Sequence, residues 1–134
     1  MAGPSPLHGV HWHGLLRGRV SVFNDSMALR ARIARKVAQM AFEFPIRIYW
    51  EDTDAGGIVF YANYLKFFER ARTEWLRALG LGQRALREHS GGMFVVVDAA
   101  LKYLRPAHLD DELIVTAQLQ EAGRAGLVVA QQAL

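Results

Sequence analysis

The most concentrated chemistry in the chain is Glu51-Asp52-Thr53-Asp54-Ala55-Gly56-Gly57. Three carboxylates so close together repel one another unless they are solvated, paired or put to use. The two glycines that follow permit positive φ and a close backbone approach. A helix is predicted from Asn63, and its first turn offers free backbone N–H groups at the positive end of a dipole. A carboxylate beside such donors can attack a carbonyl or activate water while the N–H groups hold the oxyanion. A solvated turn is the plain alternative for the same residues.

Two metal readings compete for this loop. Asp52-x-Asp54 before a glycine is like the start of a calcium loop, but the twelfth position is Asn63, where a bidentate Glu is needed. Asp-x-Asp after a strand also suits magnesium-dependent aspartyl phosphotransferases. Those need a large α/β domain, and only about 80 residues follow Asp54. Elsewhere the signals are weaker. No GxSxG, GxGxxG or P-loop pattern is present. There is no cysteine, so disulfides, thiolate ligands and cysteine nucleophiles are excluded. His89 and Ser90 are adjacent, which does not make a nucleophile–base pair. His8, His11 and His13 could take a metal but have no carboxylate nearby. Asp98 interrupts an apolar strand and either lines a site or faces solvent. His108 belongs to a loop before Asp110-Asp111.

The elements around the loop can be predicted from hydrophobic period. Phe44 to Trp50 alternates at Ile46, Arg47 and Ile48 as a half-buried strand, with Pro45 at its start or on an edge. Asn63 to Leu79 reads as a helix, with Tyr64, Phe67, Phe68, Ala71, Trp75, Leu76 and Leu79 on one face. Lys66, Glu69, Arg70, Arg72, Glu74 and Arg77 fall on the other face, and Gly80 is a plausible C-cap. A helical turn is expected at Arg84–Glu88. Strands follow at Met93–Leu104, Glu112–Glu121 and Leu127–Leu134, the last two joined by a turn at Ala122–Gly126. This order indicates an α+β domain whose helix packs on one face of an antiparallel sheet.

Length and an apolar content of one half suit one domain with a real core. No apolar run approaches the roughly 20 residues of a membrane-spanning helix. The expected location is the cytoplasm, with peripheral contact at the inner membrane as a variant. Residues 1–41 carry six basic residues and one acid, whereas 42–134 carry ten and twelve. The basic charge therefore belongs to the head of the chain, which argues against nucleic acid as a partner of the folded body. Residues 1–26 look irregular. Residues 27–41 can form a short basic helix, read as a membrane-surface contact, a targeting leader or sequence before the true start. The division expected is thus an irregular basic leader over 1–41 and a domain over 42–134.

The run from Tyr49 through Asp52-Thr53-Asp54-Ala55-Gly56-Gly57 to Phe67-Phe68-Glu69-Arg70-Ala71-Arg72-Thr73-Glu74-Trp75-Leu76 closely resembles the signature of YbgC-type acyl-CoA thioesterases. These are Tol-Pal-associated members of the 4-hydroxybenzoyl-CoA thioesterase group. Tyr103-Leu104-Arg105-Pro106-Ala107 with Asp110-Asp111 is similar to that family too. The resemblance implies a hotdog fold, with an antiparallel sheet wrapped around the long helix. It implies homodimers or homotetramers with sites at the subunit interface, and no metal or bound cofactor beyond coenzyme A as part of the substrate. It places the catalytic carboxylate at Asp54, as nucleophile or general base, and the oxyanion donor at the Tyr61 backbone N–H. Many relatives have His where this chain has Tyr61. Gly56, Gly57, Val59 and Asn63 are the residues expected along the substrate. Relatives continue with another strand, so the domain is expected to be incomplete after Leu134, with an unpaired sheet edge. The rival reading is a non-catalytic module that binds acyl groups, acyl carrier protein or a membrane-associated partner.

Overall fold

The computed structural model describes residues 14–23, 41–80, 82, 84, 93–122 and 127–134. Five strands are present: β1 (Gly14–Phe23), β2 (Phe42–Arg47), β3 (Met93–Tyr103), β4 (Glu112–Ala122) and β5 (Leu127–Ala133). They form one antiparallel sheet in the order β2-β4-β5-β1-β3. A single long helix among the described residues, α1 (Asn63–Ala78), packs against β2, β4 and β5.

Period explains most of this. Along α1, Tyr64, Phe67, Phe68, Ala71, Trp75 and Leu76 are buried, at three- and four-residue steps. Fully burying Phe67 and Phe68 contributes roughly 1.5–3 kcal/mol each, so docking rather than intrinsic propensity holds the helix. The helix stops where Leu79 leaves helical geometry and Gly80 takes a φ of 74°, its N–H donating to the Arg77 carbonyl at 3.0 Å. In β4, Leu113, Val115 and Ala117 point inward. In β5, Leu127, Val129, Gln131 and Ala133 do so. One core cluster joins Ile46, Ile48, Tyr64, Phe67, Leu113 and Val115. A second joins Trp75, Leu76, Leu79, Ala117, Leu127 and Val129.

Four expectations need correction or restriction. Residues 1–26 were expected to be irregular, yet Gly14–Phe23 is an internal strand, paired with β5 on one side and β3 on the other. Its two glycines and two arginines hide it from a period test, because long-range pairing decides its state. Consequently β5 is not a sheet edge; the edges among the described residues are β2 and β3. The first predicted strand is shifted: β2 runs Phe42–Arg47, and Trp50–Asp52 is a 3-10 turn. Pro45 does lie on an edge strand. Arg72, assigned to the solvent face of the helix, is only partly exposed and bonds Gln131 of β5. The histidines at 8, 11 and 13, nearly all of the predicted 27–41 helix, and most of Gly82–Gly92 lie outside the described residues.

Candidate active site

The acidic loop is a tight double-backed segment. The Asp54 N–H donates to the Ile58 carbonyl at 2.8 Å, and the Phe60 N–H donates to the Asp52 carbonyl at 3.0 Å. Thr53 and Val59 form an antiparallel bridge between them. The segment is fastened to the domain from beneath. The Val59 N–H reaches the Ala107 carbonyl at 2.8 Å, and Ile58 bridges His108. The 104–111 loop is in turn held by Ile48, whose carbonyl accepts the Asp110 N–H at 3.0 Å. Asp110 sits at φ 67°, a region that aspartate tolerates better than most residues.

The two aspartates of Asp52-Thr53-Asp54 have different surroundings. Asp52 is 6% exposed, and its Oδ2 accepts the Tyr49 N–H at 2.9 Å. Its carbonyl also accepts the Asn63 side-chain amide at 2.9 Å, tying the loop to the start of α1. Asp52 is thus a buried loop anchor. Asp54 is exposed, with its Oδ1 accepting the Gly56 N–H at 2.8 Å. That bond orients the carboxylate. Among the described residues no group of three His, Asp or Glu is placed to hold a metal ion.

The glycines follow from this geometry. A Cβ on Gly56 would stand 3.1 Å from Asp54 Oδ1, crowding the carboxylate. Gly57 has φ 77° and donates to the Asp54 carbonyl at 3.0 Å.

The loop then runs into α1. Ala62 caps the helix without a side-chain hydrogen bond, and no acidic residue occupies the first turn. The positive end of the helix is left without a carboxylate of its own. Tyr61 is 63% exposed, and its carbonyl accepts the Tyr103 hydroxyl at 2.8 Å. No acceptor takes the Tyr61 N–H among the described residues. Tyr103 stacks edge-on against Tyr61 at 6.2 Å and against Tyr64 at 5.6 Å. Burial, and then the neighbouring Tyr61, push the Tyr103 hydroxyl above its usual value, so it remains a donor at neutral pH. Tyr64 is buried, and its hydroxyl accepts the Ala107 N–H at 3.2 Å.

Of the residues expected at the site, Asp54, Gly56 and Gly57 share one turn, while Asn63 reaches it through Asp52. The Val59 side chain is 5% exposed and belongs to the main core. Asp52 was weighed from spacing only as a metal ligand, and Tyr103 was named only within the family resemblance. The bond from Tyr103 to Tyr61 spans 42 residues, which no local pattern carries.

Residues 56–133 match the Thioesterase superfamily. An acyl-CoA thioesterase YbgC of Haemophilus influenzae is 48% identical over 91 residues, 68% of this chain and 67% of that protein. An acyl-CoA thioester hydrolase YbgC of Escherichia coli O157:H7 is 43% identical over the same lengths. The crystal structure of a probable thioesterase from Bartonella henselae superposes with a TM-score of 0.59 at 31% identity, over 70% of this chain and 89% of that one. The sheet and its one long helix are accordingly a hotdog fold. The chain belongs to the thioesterase superfamily and, within it, to the YbgC-type acyl-CoA thioesterases.

Proposed function

We propose that the protein hydrolyses an acyl-CoA thioester to the free acid and coenzyme A, with Asp54 acting on the acyl carbon. The observation that carries this reading is the contrast between the two loop aspartates. One is buried and bonded inward; the other is exposed, oriented by Gly56, and set just before an uncapped helix.

As general base, Asp54 would take a proton from water as the water oxygen adds to the carbonyl. As nucleophile it would form an acyl anhydride that water then cleaves. In both routes the thiolate of coenzyme A leaves and gains a proton, and the carbonyl oxygen becomes an oxyanion. The Tyr61 N–H at the head of α1 is the donor proposed for that oxyanion, in a position where one good donor contributes roughly 10²–10³ in rate. The Tyr103 hydroxyl donates to the Tyr61 carbonyl and so fixes the peptide that follows the one carrying this N–H. Replacing histidine by tyrosine at this position leaves a backbone donor intact. The chemistry needs only these groups and water, with coenzyme A arriving on the substrate.

The proposed assembly is a homodimer, paired further as a tetramer, in which a second copy covers the β3 edge. Val96 and Val97 stand 44% and 50% exposed there, the kind of apolar edge that proteins otherwise hide. Acyl carrier protein as an alternative thioester carrier, a Tol-Pal link and cytoplasmic action at the inner-membrane surface belong to the same reading. No helix among the described residues is long and apolar enough to cross a membrane.

The test is thiol release from a panel of acyl-CoA thioesters by wild type and Asp54→Asn. Turnover should fall by about 10²–10⁴ in the variant. Undiminished activity there would sink the assignment of Asp54. A folded wild type that binds acyl groups without releasing thiol would favour the non-catalytic module.

A further inference from the structure

A cavity of about 250 Å³ opens between α1 and the β5-β1-β3 part of the sheet, lined by Leu65, Val96, Ala99 and Val129 with Gly18 behind them. Its lining is mostly apolar, yet two polar side chains share it, Arg72 and Gln131. Gln131 is 1% exposed. Its amide nitrogen donates to the Phe68 and Thr116 carbonyls at 3.0 and 3.2 Å, which fixes its orientation. Its Oε1 therefore faces Arg72 and accepts the Arg72 Nη1 at 2.8 Å.

A guanidinium carries five N–H donors and is at its best against a carboxylate. Among the described residues, Arg72 hydrogen-bonds one neutral amide. Burial pulls it below its ordinary pKa, with Glu69 acting in the opposite sense. The Glu69 carboxylate itself accepts the Thr73 hydroxyl at 2.7 Å. The arrangement is a half-buried cation, clamped on one side and facing an apolar cavity on the other. Glu69 acts on it through space without a hydrogen bond, so among the described residues no carboxylate is bonded to the guanidinium.

The positions along α1 add to this. Leu65 lies in the first turn of α1, the helix that follows in sequence the loop where the thioester is proposed to react. Arg72 lies seven residues further on, about 10 Å along the helix axis. We infer that the cavity takes the acyl group of the substrate, and that Arg72 selects acyl groups ending in a carboxylate. This rests on the thioesterase reading above. A cavity this small lies below the usual range of about 300–1,000 Å³ for ligand pockets, which suits a short dicarboxylic acyl group rather than a long chain.

The test compares hexanoyl-CoA with adipoyl-CoA, equal in chain length and different in the terminal carboxylate. Wild type should favour adipoyl-CoA in kcat/KM by about tenfold or more, the discrimination expected of a charge-assisted bond. In Arg72→Met the ratio should fall towards one, and Arg72→Lys should lie between. A wild-type ratio at or below one overturns the inference without any variant, as does a ratio unchanged in Arg72→Met. If neither thioester is cleaved, the wider panel decides the hydrolase reading, and binding of the free acids decides the cavity. Adipate should then raise the melting temperature where hexanoate does not, and equal or absent shifts would overturn the inference.

Discussion

Asp52 and Asp54 are chemically identical and two positions apart, and the fold separates them by burial and by hydrogen-bond partner. Asp52→Ala removes the acceptor for the Tyr49 N–H inside a buried loop, which should cost about 1–3 kcal/mol. Asp54→Asn alters an exposed side chain and should stay within about 0.5 kcal/mol of wild type. Thermal melts of both variants beside their turnover would show one losing stability and the other losing chemistry; equal melting temperatures would remove the structural role of Asp52. Tyr64 carries a prediction in pH. Burial raises its hydroxyl pKa above the usual 10.0, against the smaller effect of the Ala107 N–H. A raised value in the folded state means that its contribution is complete below 10 and is lost as pH climbs through the folded value. The melting temperature should therefore drop more steeply above pH 10 in wild type than in Tyr64→Phe, measured across pH 8–11. The sequence could point to the loop because acids and glycines cluster in it. Spacing alone could not apportion roles between the aspartates; the resemblance put the catalytic one at Asp54, whereas the part of Asp52 depends on its bonds to the Tyr49 N–H and the Asn63 amide.

The helix and β4 could be predicted closely because each has one buried face and a strict period. Arg72 was misplaced because a charged residue at a helical position counts as polar, whereas a long guanidinium stem can lie along apolar surface and keep its head bonded. Strand β1 was missed for a different reason. It lies between β5 and β3, so its backbone partners, not its own side-chain pattern, make it a strand. It is also the strand that ties β3 to the rest of the sheet. Deleting residues 1–23 should leave β3 without a neighbour and lower stability by several kcal/mol, since an uncovered pair of strand edges invites aggregation. Circular dichroism and melting of the shortened chain would check this. An unchanged melting temperature would mean that β3 holds its place without β1.

At the scale of the whole molecule, the unresolved demand is the far side of β3. Ten of its eleven residues pair with β1 on one side, and no strand covers the other among the described residues. The register with β1 slips between Arg19 and Val20, so that Asp98 faces Arg19 and Val96 faces Val20, leaving Val97 as the bulged residue. Bulges commonly protect an edge by twisting it away. Here the bulged Val97 is half exposed, with exposed Val96 on one side and Asp98 on the other, which leaves two valines of the edge open to a partner. A lysine is the usual means of closing such an edge. Val97→Lys should therefore shift the proposed dimer to monomer in sedimentation velocity, while the domain stays folded by circular dichroism, because Val97 belongs to neither core cluster. If the active site needs both copies, turnover per chain should fall in the same variant and become dependent on protein concentration. A Val97→Lys protein that stays dimeric would place the interface elsewhere, with β2, the opposite edge, as the next surface to test.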